Sequence, residues 1–128
     1  ANPFGFVSEA REKQSKWLAK LIKREQERRK LPVVIMGLTF KHNTNLTTDS
    51  PAILLMEQLE DMGVKTSAYD PVVMPSRPKD VPSIYFIATR WVKFSTFPYA
   101  KGSLIIDPWG FFGVAPEGCE LFSIGRNR

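Results

Sequence analysis

The 128-residue chain has one cysteine and one histidine, and these two scarcities exclude much. Cys119 alone cannot form an internal disulfide and leaves no CxxC pair for zinc or redox chemistry. At the start of an apolar segment it reads as a small buried hydrophobe. His42 has no second ligand at metal spacing and reads as a solvated loop side chain rather than a base. The eight glycines nowhere spell G-x-G-x-x-G or a P-loop, so a bound phosphate would have to be held by side-chain charge. No apolar run approaches the roughly 18 to 20 residues that span a bilayer, so no membrane partner is expected. Ala1 to Val7 lack the basic start and apolar middle of a secretory signal. The expectation is a cytoplasmic protein, and the abrupt start reads as that of a piece cut from something larger. No internal repeat or low-complexity tract is present.

What the chain does have is core material: 43% hydrophobic residues, three Trp, three Tyr and nine Phe, enough for one folded domain. The formal charge of +5 is concentrated in Lys20, Lys23, Arg24, Arg28, Arg29 and Lys30, relieved by Glu25 and Glu27. A nucleic-acid surface would interleave such a run with aromatics. The run reads instead as a solvated helix end with i,i+4 pairs such as Glu25 with Arg29, and nucleic acid is not an expected partner.

Three zones follow along the chain. Ser8 to Arg29 reads as a helix, with Ser8 as N-cap and Ala10, Trp17, Leu18, Leu21 and Ile22 on its buried side. Leu31-Pro32 stops it. Val33 to Gly37 is an unbroken, β-branched apolar run, as expected of a strand buried on both faces. After a polar loop, Ser50-Pro51 opens a helix, with Asp49 or Ser50 as cap, whose apolar stripe is Ile53, Leu54, Met56, Leu59 and Met62, and which Gly63 ends. Val64 to Tyr69 is the next strand. A Pro-rich connection, Val72 to Pro82, reads as irregular with one short turn of helix. Beyond it, strands are expected at Ser83 to Thr89, Ser103 to Asp107 and Cys119 to Ile124, with a short amphipathic turn from Arg90 to Phe97. The fold class is α/β: a Rossmann-like three-layer α/β/α arrangement with a mainly parallel sheet, preceded by a long helix.

Ligands of such sheets bind outside the carboxyl ends of the strands. That rule points to the segments starting at Gly37, Asp70, Thr89 and Asp107. Lys41 is either a compact cationic partner for diphosphate oxygens or a surface lysine. Asp70 and Asp107 are either ribose-gripping carboxylates or caps of their own turns. Trp109 and Phe111 either stack on a base or pack a partner. The inventory contains no acid–base pair, no activated nucleophile and no metal cluster, so it supports a binding layer and no catalytic residue.

Val34-Ile35-Met36-Gly37-Leu38-Thr39-Phe40-Lys41-His42-Asn43-Thr44 resembles the C-terminal, UDP-binding domain of the UDP-glucose/GDP-mannose dehydrogenase family, whose run reads roughly V-L-G-L-A-F-K-P-N-T. The similarity continues through Asp49-Ser50-Pro51-Ala52, Ala68-Tyr69-Asp70-Pro71, Ile87-Ala88-Thr89-Arg90-Trp91 and Ser123-Ile124-Gly125-Arg126, in the family's order. The resemblance implies a division into a leading helix, residues 1–30, like the helix that joins the two halves of such enzymes, and a nucleotide-sugar-binding domain, 31–128. It implies that Phe40 and Lys41 contact a UDP- or GDP-sugar; Asn43, Asp70, Asp107 and Trp109, in the segments that leave the strand ends, are further candidate crevice residues. Oxidation of the sugar's C6 hydroxyl to the uronic acid, as in polysaccharide biosynthesis, would need NAD and the catalytic cysteine of an N-terminal domain. Dimers would form around the leading helix, and the chain alone would be inactive and bind no NAD. The family's R-E-S arginine is replaced by Thr48, its D-G-R arginine by Trp109, and its D-D pair by Asn45 and Leu46. These departures motivate the alternative of a diverged, non-catalytic binding or interaction domain.

Overall fold

The computed structural model describes residues 3–38, 51–72, 74, 76–89, 91–108, 110 and 112–123, with side chains from Lys16 onward except that of Pro51. The first element, α1 (Pro3–Arg29), is a helix whose second half is built of strong helix formers. Lys30 terminates it by taking the left-handed region, φ 60°, while its N–H bonds the Gln26 carbonyl at 2.7 Å. Pro32 then prevents continuation.

Five strands follow: β1 (Val33–Met36), β2 (Thr66–Tyr69), β3 (Ile84–Ile87), β4 (Leu104–Asp107) and β5 (Glu120–Ser123), with α2 (Pro51–Asp61) between the first two. All pairings are parallel, in the order β2-β1-β3-β4-β5, with Val33 opposite both Thr66 and Ile84. α2 closes at Gly63 (φ 86°), whose N–H bonds Glu60 while that of Val64 bonds Leu59. The expected Rossmann-like parallel sheet and the long helix ahead of it are both present.

Strand periodicity divides the core in two. Val33, Ile35, Ile84, Phe86, Leu104 and Ile106 point to one face, where Ala19 and Ile22 of α1 and Ala52, Leu55 and Leu59 of α2 cover them. Val34, Met36, Tyr69, Tyr85, Ile87 and Ile105 point to the other. There the cover is a 3-10 turn at Val92–Ser95, which buries Phe94, together with Phe97, Tyr99 and Phe112. The two covers thus differ in kind: packed helices on one side, interlocked rings on the other. Tyr99 is the hub of the ring layer, with centroids 4.8 Å from Tyr85, 5.0 Å from Phe97 and 6.0 Å from Phe112.

Several details depart from expectation: α1 begins at Pro3 rather than after a Ser8 cap, and α2 buries Ala52, Leu55 and Leu59 while Ile53, Leu54, Met56 and Met62 are only partly buried. Trp17 is 53% exposed rather than part of the buried stripe, which runs through Ala19, Leu21, Ile22 and Glu25 with Leu18 partly buried, while the side chain of Ala10 lies outside the described ones. The charged end of α1 does not simply stand in water: Glu25 is buried and accepts hydrogen bonds from Arg28 and Arg29, so the expected Glu25–Arg29 pair forms inside the surface. Cys119 is half-buried and lies one residue ahead of β5, because this edge strand is covered less than the others. No helical turn is present among the described residues of 72–82; a backbone bridge between Asp70 and Met74 tightens the start of that connection instead.

Candidate functional site

The strand order reverses between β1 and β3, and the carboxyl ends of these two strands therefore frame the crevice where ligands of open parallel sheets bind. Each strand here is only four residues long, so the chain leaves the sheet abruptly. β1 exits through Gly37 and Leu38, β3 through Ala88 and Thr89. The N–H groups of both Ala88 and Thr89 bond the Met36 carbonyl, at 2.9 and 3.3 Å, which draws the two exits together.

Gly37 is required by this approach. It has φ 99°, a region that side chains disfavour. A Cβ built on it would lie 2.7 Å from Thr89 Cβ and 2.8 Å from Thr89 Oγ1. Thr89 thus occupies the space that any side chain at position 37 would need.

Both strand-end aspartates are fully buried, at 0% exposure. Asp70 Oδ2 accepts the Leu38 N–H and Oδ1 the Val72 N–H, each at 2.7 Å. Asp107 Oδ2 accepts the Phe112 N–H at 2.8 Å, closing the loop that follows β4. The sequence already offered capping as a role for each aspartate. It did not reveal that Asp70 reaches across to the exit of the neighbouring strand. That contact depends on β2 lying beside β1, an adjacency usual for strands joined through one helix but not fixed by the sequence pattern.

On the ring side, the Tyr99 hydroxyl donates to the Phe94 carbonyl at 2.7 Å and so fixes the 3-10 turn that follows β3. Burial pushes the Tyr99 phenol far above its ordinary range, with the charges of neighbouring Tyr85 and Asp107 adding to the effect. Burial also raises Tyr85, against a hydrogen bond with Ser83 that lowers it. Arg77 lies over the Phe97 ring, 5.4 Å from its centroid, and ties the Pro-rich connection to this layer.

α2 must run back along the sheet to feed a parallel strand. Gly63, Val64 and Lys65 beyond its end share a surface cleft with Leu31 and Pro32 ahead of β1. Its first residue, Pro51, therefore stands at the crevice edge, where the positive end of the helix dipole favours an anion. Phe40, Lys41, Asn43, Thr48 and Trp109 lie outside the described residues, as do His42 and Phe111. Among the described residues, no group of three or more His, Cys, Asp or Glu could hold a metal ion. No described helix is long and apolar enough to cross a membrane.

A family model described as the UDP-glucose/GDP-mannose dehydrogenase family, UDP binding domain, matches residues 34–113. UDP-glucose 6-dehydrogenase of Rhizobium meliloti (strain 1021) is 29% identical over 118 residues, a match covering 73% of this chain and 27% of that protein. The putative UDP-glucose 6-dehydrogenase YtcA of Bacillus subtilis (strain 168) is 31% identical over 115 residues with the same two shares. UDP-glucose 6-dehydrogenase YwqF of the same organism is 24% identical over 119 residues. The chain spans about a quarter of the length of these relatives, 27% in each case. No solved structure matches it.

Proposed function

The chain belongs to the UDP-glucose/GDP-mannose dehydrogenase family, and from that premise we propose that it is the nucleotide-sugar-binding part of an NAD-dependent UDP- or GDP-sugar 6-dehydrogenase. The observation that carries the reading is the exit of β1. It opens at the switch point of the sheet, is pinned there by Asp70, and leads directly into Phe40-Lys41 within the matched segment. Lys41 supplies a cation for diphosphate oxygens and Phe40 an apolar wall, while the start of α2 adds a favourable dipole. Residues 1–30 form the connecting helix and 31–128 the binding domain, and the assembled enzyme is a cytoplasmic homodimer.

The sequence leaving β1 does not match a dinucleotide-binding loop. Gly37-Leu38-Thr39-Phe40-Lys41 has one glycine, and bulky side chains stand where a dinucleotide loop carries its other glycines. On this reading NAD and the oxidising cysteine belong to a separate N-terminal domain, and this chain by itself is expected to reduce no NAD. Its own contribution is to bind and orient the nucleotide so that the sugar C6 is presented to that domain.

The test is calorimetric titration of the chain with UDP, GDP and their sugars, alongside Lys41→Ala. Weak binding of a nucleoside diphosphate, weakened further in the variant, is expected. If neither the chain nor a longer protein containing it binds any nucleotide sugar, the dehydrogenase reading fails. The replacement of two family arginines by Thr48 and Trp109 would then favour a diverged interaction domain.

A further inference from the structure

Carboxylates are almost never fully buried unless their oxygens are partnered. Asp70 meets that condition with backbone donors from two different loops: Leu38, leaving β1, and Val72, leaving β2. A simple Asp-Pro turn needs only the second bond. A ribose-gripping carboxylate needs its oxygens turned to the crevice, whereas both oxygens here receive N–H groups and the residue has no exposed surface. The backbone of Asp70 is itself held, exchanging two 3.0 Å hydrogen bonds with Met74, and Gly37 N–H bonds the Tyr69 carbonyl at 2.7 Å. The first residues of the β1 exit are thus fastened to the end of β2 by one backbone bond and one bond to a carboxylate, the stronger kind.

We propose that Asp70 is a positioning residue for nucleoside-diphosphate binding: it sets the direction in which the chain leaves β1, and through it the placement of Phe40 and Lys41, without touching the ligand. This rests on the reading of Phe40-Lys41 as the substrate pair. Asp70 acts two residues upstream of that pair, at Leu38, and a change there is felt by whatever the loop carries.

The experiment uses this chain, with UDP as the probe. Asp70→Asn keeps the shape but turns one acceptor into a donor that faces an N–H. Amide hydrogen exchange at Leu38 and Val72, with Ile105 as the reference for the intact sheet, reports the clamp. Titration of wild type, Asp70→Asn, Lys41→Ala and the double variant reports its effect. Asp70→Asn should speed exchange at Leu38, leave Ile105 protected and weaken UDP binding about tenfold. The double variant should lose less than the sum of the two single losses, because both changes act on the Lys41 contact. Asp107→Asn loosens the other loop and serves as the control: any loss it causes should add to that of Lys41→Ala. If Asp70→Asn does not fold, Asp70→Glu keeps the charge, cannot reach both N–H groups and should give the same pattern. Unchanged UDP affinity despite faster Leu38 exchange, or fully additive losses, would overturn the proposal alone. A wild-type chain that ignores UDP, GDP and their sugars while Leu38 stays protected would defeat the reading of Phe40-Lys41 as the substrate pair and this proposal with it.

Discussion

Arg29, in the last turn of α1, hydrogen-bonds Glu120 on β5, so the first element of the chain is tied to the last strand of the sheet. The same guanidinium bonds the buried Glu25 at 2.9 Å. The two carboxylates differ in environment, since Glu120 is mostly exposed and Glu25 is not. An exposed partner contributes little, so Glu120→Ala should lower unfolding free energy by less than about 1 kcal/mol. Glu25→Ala leaves two arginines without their shared acceptor and should cost about 1–3 kcal/mol. Urea unfolding of the two variants checks the ranking; equal effects would refute it.

Glu25 also predicts how the chain responds to acid. Burial alone would raise its pKa, but the hydrogen bonds and charges of Arg29 and Arg28 outweigh burial and hold it below the ordinary 4.5. As pH falls, the unfolded chain therefore takes up this proton before the folded one. The stabilisation from Glu25 is complete above the ordinary value and drains away as pH drops through the lower folded value. Melting temperatures measured from neutral to acid pH should fall less steeply in Glu25→Gln than in wild type over that window.

Gly37→Ala tests the close approach of the β1 and β3 exits. The substitution forces a side chain into the left-handed region, at about 1–2 kcal/mol, and into the Thr89 side chain, at about 1–3 kcal/mol. A loss of about 2–5 kcal/mol is expected. Adding Thr89→Ala should recover part of the clash but none of the backbone strain. A neutral Gly37→Ala would show that the two exits stand further apart.

Alkali probes the ring layer. Two of the three tyrosines, Tyr85 and Tyr99, have pKa values raised above the ordinary 10, burial being the main cause. The unfolded chain loses these protons first as pH rises, so the stabilisation is whole below 10 and declines as pH climbs towards the folded values. Near-ultraviolet absorbance should show both phenols ionising late, together with loss of tertiary structure. Tyr99→Phe, which frees the Phe94 carbonyl, should cost about 1 kcal/mol.

Much of this arrangement is legible in the sequence because local patterns and tertiary demands agree. Val33–Met36 reads as a doubly buried strand and is one, and Pro51 and Gly63 bracket α2 as their backbone preferences require. The pattern misleads where partners decide. Glu25 counts as one more charge in a charged run, and only the geometry of Arg28 and Arg29 around it permits burial. Trp17 suits an apolar stripe, yet α2 covers the positions beside it. Asp70 and Asp107 are visible as strand-end acids, but which N–H groups they hold depends on which strands are neighbours. Period and propensity do not encode strand order.

The order of the sheet has a consequence for how the chain is made. β1 is synthesised first yet sits inside the sheet, and its two flanks wait for Thr66 and Ile84, far downstream. Until both emerge from the ribosome, an apolar run with two unsatisfied edges is open to wrong pairing. No early hairpin can shield it, since every contact it makes in the sheet is non-local and therefore slow to form. Production yield of this protein should accordingly depend on protecting one four-residue segment during translation.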